Sequence, residues 1–264
     1  MQNPTRDNTG WGKSTVAEKE YISKRTAESA RLAKEGHFLA SLEGDPPERS
    51  VLDMGCGIGM HLCGMSERGF NCTGIDISPE AIREAVNNAL MRNVKIDFLT
   101  GDFTSSRPEG EFGMIIMMGG TFGLLEESEN FSLLSSLKEN LLPGGRIVLG
   151  SENREYVISE TEFSGKGSQK WERKGGVLCR KEEFFDLYLG RLNTRNEYMD
   201  ISTGEKTHSP WTSTRIYSLS EARQMARAAG FTIERVYGSA LGHQYSASAK
   251  EMIIVAKKDN GEDR

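Results

Sequence analysis

Val51-Leu-Asp-Met-Gly-Cys-Gly-Ile-Gly59 decides the fold of this chain. Two apolar residues and an acid run into glycines at 55, 57 and 59, and an apolar, helix-spaced stretch follows at 60–68. That pattern is a strand ending in a tight turn, and the glycines let the turn's backbone press against a ligand. A second strand-like run, residues 71–75, ends at Asp76, seventeen residues after Gly59. An acid in that place accepts hydrogen bonds from both hydroxyls of a ribose. The glycine spacing is G-x-G-x-G, not the G-x-G-x-x-G of dinucleotide-binding turns. Together the two features predict a nucleoside-type cofactor across the carboxyl ends of two adjacent parallel strands. The plainer reading is a strand-to-helix turn with no ligand, which leaves the placing of Asp53 and Asp76 without a reason.

Outward from this stretch, the totals bound the class. The chain has 264 residues, 37% hydrophobic and 27% charged, with a formal net charge of −5 and a pI near 5.6. One large soluble α/β domain with an insertion is expected. The acidic balance argues against a broad nucleic-acid surface, which draws on basic patches. No apolar run is long enough to span a bilayer, and Met1-Gln-Asn-Pro-Thr-Arg-Asp7 has no apolar signal region. The expected location is cytoplasmic, with no membrane partner. Cys56, Cys63, Cys72 and Cys179 form no C-x-x-C pair. Reduced thiols are expected, with no metal site.

Three regions follow from the changing texture. Residues 1–44 form an N-terminal helical arm, polar at 1–12 and helix-like from 14 to about 42. Residues 45–152 and 216–258 form an α/β core. Within it, strands are expected at 50–54, 71–75, 95–100, 112–118, 146–150, 231–237 and 251–256. Ser78 and Pro79 start one of the intervening helices as N-cap and first turn. From about 153 to 215 the helical period fades, and Gly175-Gly176 and Thr203-Gly204 punctuate extended runs. An antiparallel β-insertion is expected there.

Val51–Gly59 as quoted, Gly74-Ile75-Asp76-Ile77-Ser78, Thr100-Gly101-Asp102-Phe103, Phe112-Gly-Met-Ile-Ile-Met117 and Leu141-Leu-Pro-Gly-Gly145 occur in this order. In that order and spacing they resemble the motifs of the class I S-adenosylmethionine-dependent methyltransferases. The resemblance covers residues 51–150 and resumes near Tyr217. The later runs Arg215–Ser220, Val236–Gly238 and Glu251–Ala256 resemble a subgroup acting on small molecules, with a β-rich insertion. It implies a Rossmann-like, doubly wound, seven-stranded and mostly parallel sheet with its last strands antiparallel. It implies S-adenosyl-L-methionine as cofactor and S-adenosyl-L-homocysteine as product. The expected partner is a small-molecule acceptor methylated on N or O, with a homodimer as a further expectation. The alternatives are a methyltransferase of a peptide N-terminus or of RNA, and a nucleoside-binding regulatory protein without turnover.

The same resemblance assigns residues. Gly55, Cys56, Gly57 and Gly59 form the cofactor turn, with Cys56 present for its small side chain. Asp53 lies near the methionine moiety or, on the plainer view, caps the turn. Asp76 takes the ribose, with Ile77 beside it. Asp102 and Phe103 take the adenine, unless Asp102 is an ordinary loop acid. Met117 ends strand four, where the methyl donor lies, and Tyr21 on the arm covers the cofactor as a lid. Gly119-Gly120-Thr121-Phe122 stands where amine-methylating enzymes of nucleobases carry an Asn-Pro-Pro-Tyr or Asp-Pro-Pro-Tyr clasp. Methyl transfer from a sulfonium needs chiefly in-line placement, and a base only when the nucleophile arrives protonated. Of the four histidines, His61 is expected as a wall of the cofactor site and His37 as structural. His243, followed by Tyr245, and His208 are the candidates for a base or substrate contact, against the plain alternative of loop histidines. Trp11, Tyr156, Trp171 and Trp211 are expected around the opening, as packing or as pocket lining.

Overall fold

The computed structural model describes residues 16–42, 48–105, 108–164, 171–174, 177–209 and 211–259. Helices α1 (Val16–Ala27) and α2 (Ser29–Ser41) precede the core. The core then runs β1 (Ser50–Met54), α3 (Met60–Ser66), β2 (Asn71–Asp76), α4 (Pro79–Met91), β3 (Ile96–Thr100), β4 (Phe112–Met117), α5 (Glu127–Leu137) and β5 (Leu141–Glu152). After α6 (Arg154–Ser164) come β6 (Glu172–Lys174), β7 (Val177–Asp186), β8 (Arg191–Asp200), β9 (Lys206–His208) and β10 (Thr212–Arg215). The chain closes with α7 (Leu219–Ala228), β11 (Phe231–Tyr237) and β12 (Glu251–Lys258).

Seven strands form the main sheet in the order β11-β12-β5-β4-β1-β2-β3. β1 to β5 are mutually parallel, and β12 runs antiparallel between β5 and β11. β1 and β4 are buried along their whole length, as their uninterrupted apolar runs require of strands covered on both faces. Residues of α5 and α7 pack on one face with Leu52, Ile115 and Leu149, and residues of α2 and α3 pack on the other with Val51, Ile116 and Val148. Strand order reverses between β1 and β4, which opens a crevice at their carboxyl ends, the usual ligand site of such sheets.

α2 and α3 cross with backbone against backbone. A Cβ on Gly36 would land inside the shell of the His61 carbonyl, and one on Gly64 inside that of Ala33. Two glycines therefore set the height of α3, the helix that leaves the glycine turn.

A second sheet, β10-β8-β7-β6 with β9 on β8, is antiparallel throughout. It matches the expected insertion, with the Thr203-Gly204 turn between β8 and β9. Three expectations need correction. Residues 154–164 are a helix, α6, where only extended chain was expected. The arm is two helices, because Glu28 (φ −93°, ψ 2°) interrupts it. β5 begins at Leu141 rather than 146, because Leu141 already pairs with Phe112 of β4, and Pro143-Gly144-Gly145 (Gly144 φ 75°) is an irregularity within the strand where the register shifts. Trp11, residues 1–12 and Gly175-Gly176 lie outside the described residues. No described helix is long and apolar enough to cross a membrane.

Candidate active site

The crevice holds a cavity of about 330 Å³. Its lining joins the turn after β1 (Gly55), the end of β2 (Asp76, Ile77, Ser78), the loop after β3 (Asp102, Phe103, Thr104) and the loop after β4 (Gly119, Gly120, Thr121). The glycine turn is built as its sequence requires. Gly55, Gly57 and Gly59 have φ of 79°, 53° and 72°, a region that side-chain-bearing residues seldom enter. The Gly55 and Cys56 amides donate to the Ile75 carbonyl at 2.8 and 3.0 Å. The Gly57 amide donates to Asp76 Oδ2 at 2.8 Å, and the Ser78 amide donates to Oδ1 at 2.9 Å. The acid is thus fixed before any ligand arrives, with lone pairs left over for ribose hydroxyls. A Cβ at Gly55 would crowd the Thr121 side chain at 2.8 Å, and one at Gly59 would meet the Phe98 ring at 2.8 Å. Gly55 therefore serves the cavity, and Gly59 serves the packing of α3 on β3.

Beside this cavity, and sharing Gly55, Gly119 and Thr121 with it, is a smaller pocket of about 70 Å³. Arg25 of α1, Cys56, His61 and Met118 complete its walls. Asp53 lies close by, 1% exposed, and neither of its carboxylate oxygens has a hydrogen-bond partner among the described residues. Burial, then the charge of Asp76, raise its pKa to about 8, against the pull of Arg25. His61 is held from behind: its Nε2 lies 3.1 Å from Glu35 Oε2, with both side chains buried and Arg31 paired to the same carboxylate. A pocket with a guanidinium on one wall and an orphaned buried carboxylate beside it suits a zwitterionic amino-acid head. The larger cavity suits a nucleoside. These two shapes, joined at Gly55, fit S-adenosylmethionine end to end.

Residues 51–145 match the family model described as a methyltransferase domain. The α/β core that contains them is that of a class I S-adenosylmethionine-dependent methyltransferase. It is similar to the cypemycin N-terminal methyltransferase of a Streptomyces species, 27% identical over 222 residues, 80% of this chain and 83% of that protein. It is also similar to the glycine/sarcosine N-methyltransferase of Parasynechococcus marenigrum, 29% identical over 157 residues, 58% of this chain and 54% of that protein. An S-adenosylmethionine-dependent methyltransferase from Clostridium acetobutylicum shares its fold with a TM-score of 0.75 at 12% identity, covering 92% of this chain and 99% of that one. The sugar N-methyltransferase KedS8 from Streptoalloteichus shares it with a TM-score of 0.65 at 14% identity, covering 98% and 99%.

In the methyltransferase, Gly55, Asp76, Ile77, Asp102 and Phe103 come together in the larger cavity, and Cys56 and His61 in the smaller pocket. Asp102 Oδ1 also accepts from the Thr104 amide and hydroxyl at 2.8 and 2.7 Å, which shapes the adenine-side loop. Met117 does not reach the site. It is fully buried in the core, and the strand's alternation gives the pocket wall to Met118 instead. The side chain of Tyr21 is outside the described residues.

The expected acid–base residues are placed elsewhere and line neither pocket. His243 is bound within its own loop, Nδ1 2.8 Å from Ser239 Oγ. His208 is on β9 at 3.9 Å from Glu197. Tyr245 donates to Asn153 Oδ1 and Glu155 Oε2 at 3.2 and 3.3 Å, and burial followed by the Glu155 charge pushes its pKa to about 12. Two tryptophans of the insertion face cations of their own sheet. Arg195 lies 4.7 Å over Trp211 and Arg180 5.3 Å over Trp171. Lys250 lies 6.0 Å over Tyr156. Among the described residues no cluster of ligands could hold a metal ion. Sequence reasoning missed Arg25, whose role depends on how the arm folds back, and the cavity walls Leu124, Leu125, Thr212 and Thr214.

Proposed function

We propose that the methyltransferase transfers the methyl group to a nitrogen or oxygen of a small molecule, with nitrogen the favoured atom. One observation carries this reading. The cavity that suits the nucleoside is also lined by Leu124 and Leu125 of the core and by Thr212 and Thr214 of the insertion. The acceptor space is therefore a slot between core and second sheet rather than an open face for a macromolecule. The choice of nitrogen draws support from relatives whose names place their methyl groups on glycine, sugar and peptide-terminal amines.

Bound S-adenosylmethionine supplies a methyl group already activated on a sulfonium. The protein's part is to hold the two reactants in line and keep water out. Gly57 and Ser78 fix Asp76 for the ribose, Arg25 and Asp53 bracket the amino-acid head, and the Gly119–Gly120 turn leaves open space beside the reacting carbon. A peptide N-terminus is the second reading, favoured by the cypemycin N-terminal methyltransferase among the relatives.

The test is mass-spectrometric detection of S-adenosylhomocysteine with glycine, sarcosine, glucosamine and trialanine as amines, and simple phenols as hydroxyl acceptors. Turnover with an amine is expected. Turnover with phenols alone would replace nitrogen by oxygen. Tight cofactor binding without turnover on any acceptor would favour a binding protein.

A further inference from the structure

The faces of the second sheet are fixed by its register. Thr212 of β10, Thr194 of β8 and Glu183 of β7 pair directly across three strands. Thr214, Leu192 and Phe185 form the next row on the same face, and Lys181 and Asn196 form the row that flanks it at the other end, also on this face. Thr212 and Thr214 border the larger cavity, and Leu192 packs on Val157 of α6. This hydroxyl-rich, charged face therefore turns toward the donor. Trp211, one residue before Thr212, belongs to the opposite face, where Phe184 meets its ring at 5.5 Å.

Beneath the same face lies the end of β5. The Gly120 amide donates to the Gly150 carbonyl at 3.0 Å, so β5 touches the 119–121 turn that lines both pockets. Glu152 is two residues further on, about 7 Å along the strand, and alternation gives it the same side as Gly150. On that side Met118, a wall of the Arg25 pocket, fills the space a Gly150 side chain would need, 2.9 Å from its Cβ position. Glu152 is exposed to solvent and lines neither pocket, with charged groups of three other elements around it. The groups facing it are Lys181 and Glu183 of β7, Lys24 of α1 and Glu251 of β12. Burial, with Glu183 and Glu251, lifts its pKa above the usual range against the two lysines. Of these lysines, Lys181 is engaged by Glu183 at 2.5 Å, and Glu152 forms no ion pair among the described residues.

We propose that Glu152 is the residue that meets the acceptor's nitrogen, in a cleft roofed by the Thr212–Thr194–Glu183 face of the second sheet. The inference rests on the nitrogen reading above and assigns the acceptor class as a cationic amine with hydroxyl or amide groups around it. Glu152 first takes a proton from the bound ammonium on a carboxylate oxygen and passes it to solvent, which frees the nitrogen's lone pair. As that lone pair takes the methyl, the carbon–sulfur bond breaks with its electrons left on sulfur. An acid held above its usual pKa is suited to both roles, as counter-ion and as base.

The experiment compares wild type with Glu152→Gln and Glu152→Asp. It uses the amine from the panel above with the highest turnover. Calorimetry measures that amine binding to the S-adenosylhomocysteine complex, and initial rates are taken against pH. Glu152→Gln should bind the amine at least tenfold more weakly with unchanged S-adenosylhomocysteine affinity. It should also lose the lower limb of the pH profile, which Glu152→Asp restores in part. Unchanged amine affinity and an unchanged profile in Glu152→Gln, with amine turnover intact in wild type, would overturn Glu152 alone. Turnover with phenols only would overturn the nitrogen reading and Glu152 with it.

Discussion

Asp53 is a carboxyl group that the fold buries without an answering hydrogen bond among the described residues. Its folded pKa of about 8 stands above the ordinary 3.8. Stability from this raised group is fully present below about pH 4 and is lost as pH rises through about 8. Asp53→Asn should therefore flatten the pH dependence of the free protein's melting temperature over that window. An ammonium beside Asp53 would pull its pKa down, so cofactor binding near pH 7 should release a proton. Calorimetry in buffers of different ionisation enthalpy measures this directly, and zero release would separate Asp53 from the amino-acid head. Asp76→Ala should weaken S-adenosylhomocysteine by about 1.5–3 kcal/mol, the loss of hydrogen bonds to a charged acceptor. Equal affinity in a folded variant would remove Asp76 from the ribose. Both acids were legible in the sequence because they sit at fixed offsets from a glycine turn. Arg25 was not, since nothing local in α1 marks which of its cations the arm delivers to a pocket. Met117 was misplaced by one residue, and in a strand one residue is the difference between core and site.

Among the elements, the crossing of α2 and α3 is the least forgiving. Gly36→Ala would drive a methyl group into the His61 carbonyl. The cost should be about 1–3 kcal/mol, seen as a lower denaturation midpoint together with weaker cofactor binding, because His61 moves with α3. Loss of stability with cofactor affinity intact would show that the pocket tolerates a displaced helix. The strands were readable from uninterrupted apolar runs and capped helices. Three boundaries were not. Glu28 breaks the arm without proline or glycine to announce it. α6 carries too many charges for a clear apolar stripe. The Pro-Gly-Gly of β5 reads as a turn, and it bends the strand without ending it, because Leu141 still pairs with Phe112 ahead of the register shift. The insertion's aromatic residues drew attention because large rings often line pockets. Trp211 and Trp171 sit with Phe184 and Arg180 on the face away from the donor, while Phe185 is on the near face and Tyr156 on α6, information that pairing supplies and periodicity alone does not.

For the whole molecule, the union of insertion and core converges on Glu221. Its carboxylate receives Arg154 at 2.6 Å and Arg215 at 2.9 Å, and it completes a capping box with Ser218 at the start of α7. Burial alone would raise its pKa, but the Ser218 amide and hydroxyl, Arg215 and Arg154 outweigh it and hold the value at about 2. A depressed acid contributes stability above its unfolded pKa and loses it as pH falls. Glu221→Gln should therefore remove part of the acid-linked loss of stability between about pH 4.5 and 2 and destabilise the protein at neutral pH. Acid unfolding followed by circular dichroism checks it, and superimposable curves for variant and wild type would dismiss the joint as decoration.

Arg154 stands where the chain leaves the core and Arg215 where it returns, so one carboxylate marks both the exit and the re-entry. The intervening sixty or so residues are stitched to the core at this corner and again where Arg191 reaches the Gly123 and Leu125 carbonyls, and closing so narrow a gap asks little of what fills it. An enzyme organised in this way can change its clientele by exchanging one cassette between two arginines, leaving the glycine turn and Asp76 untouched.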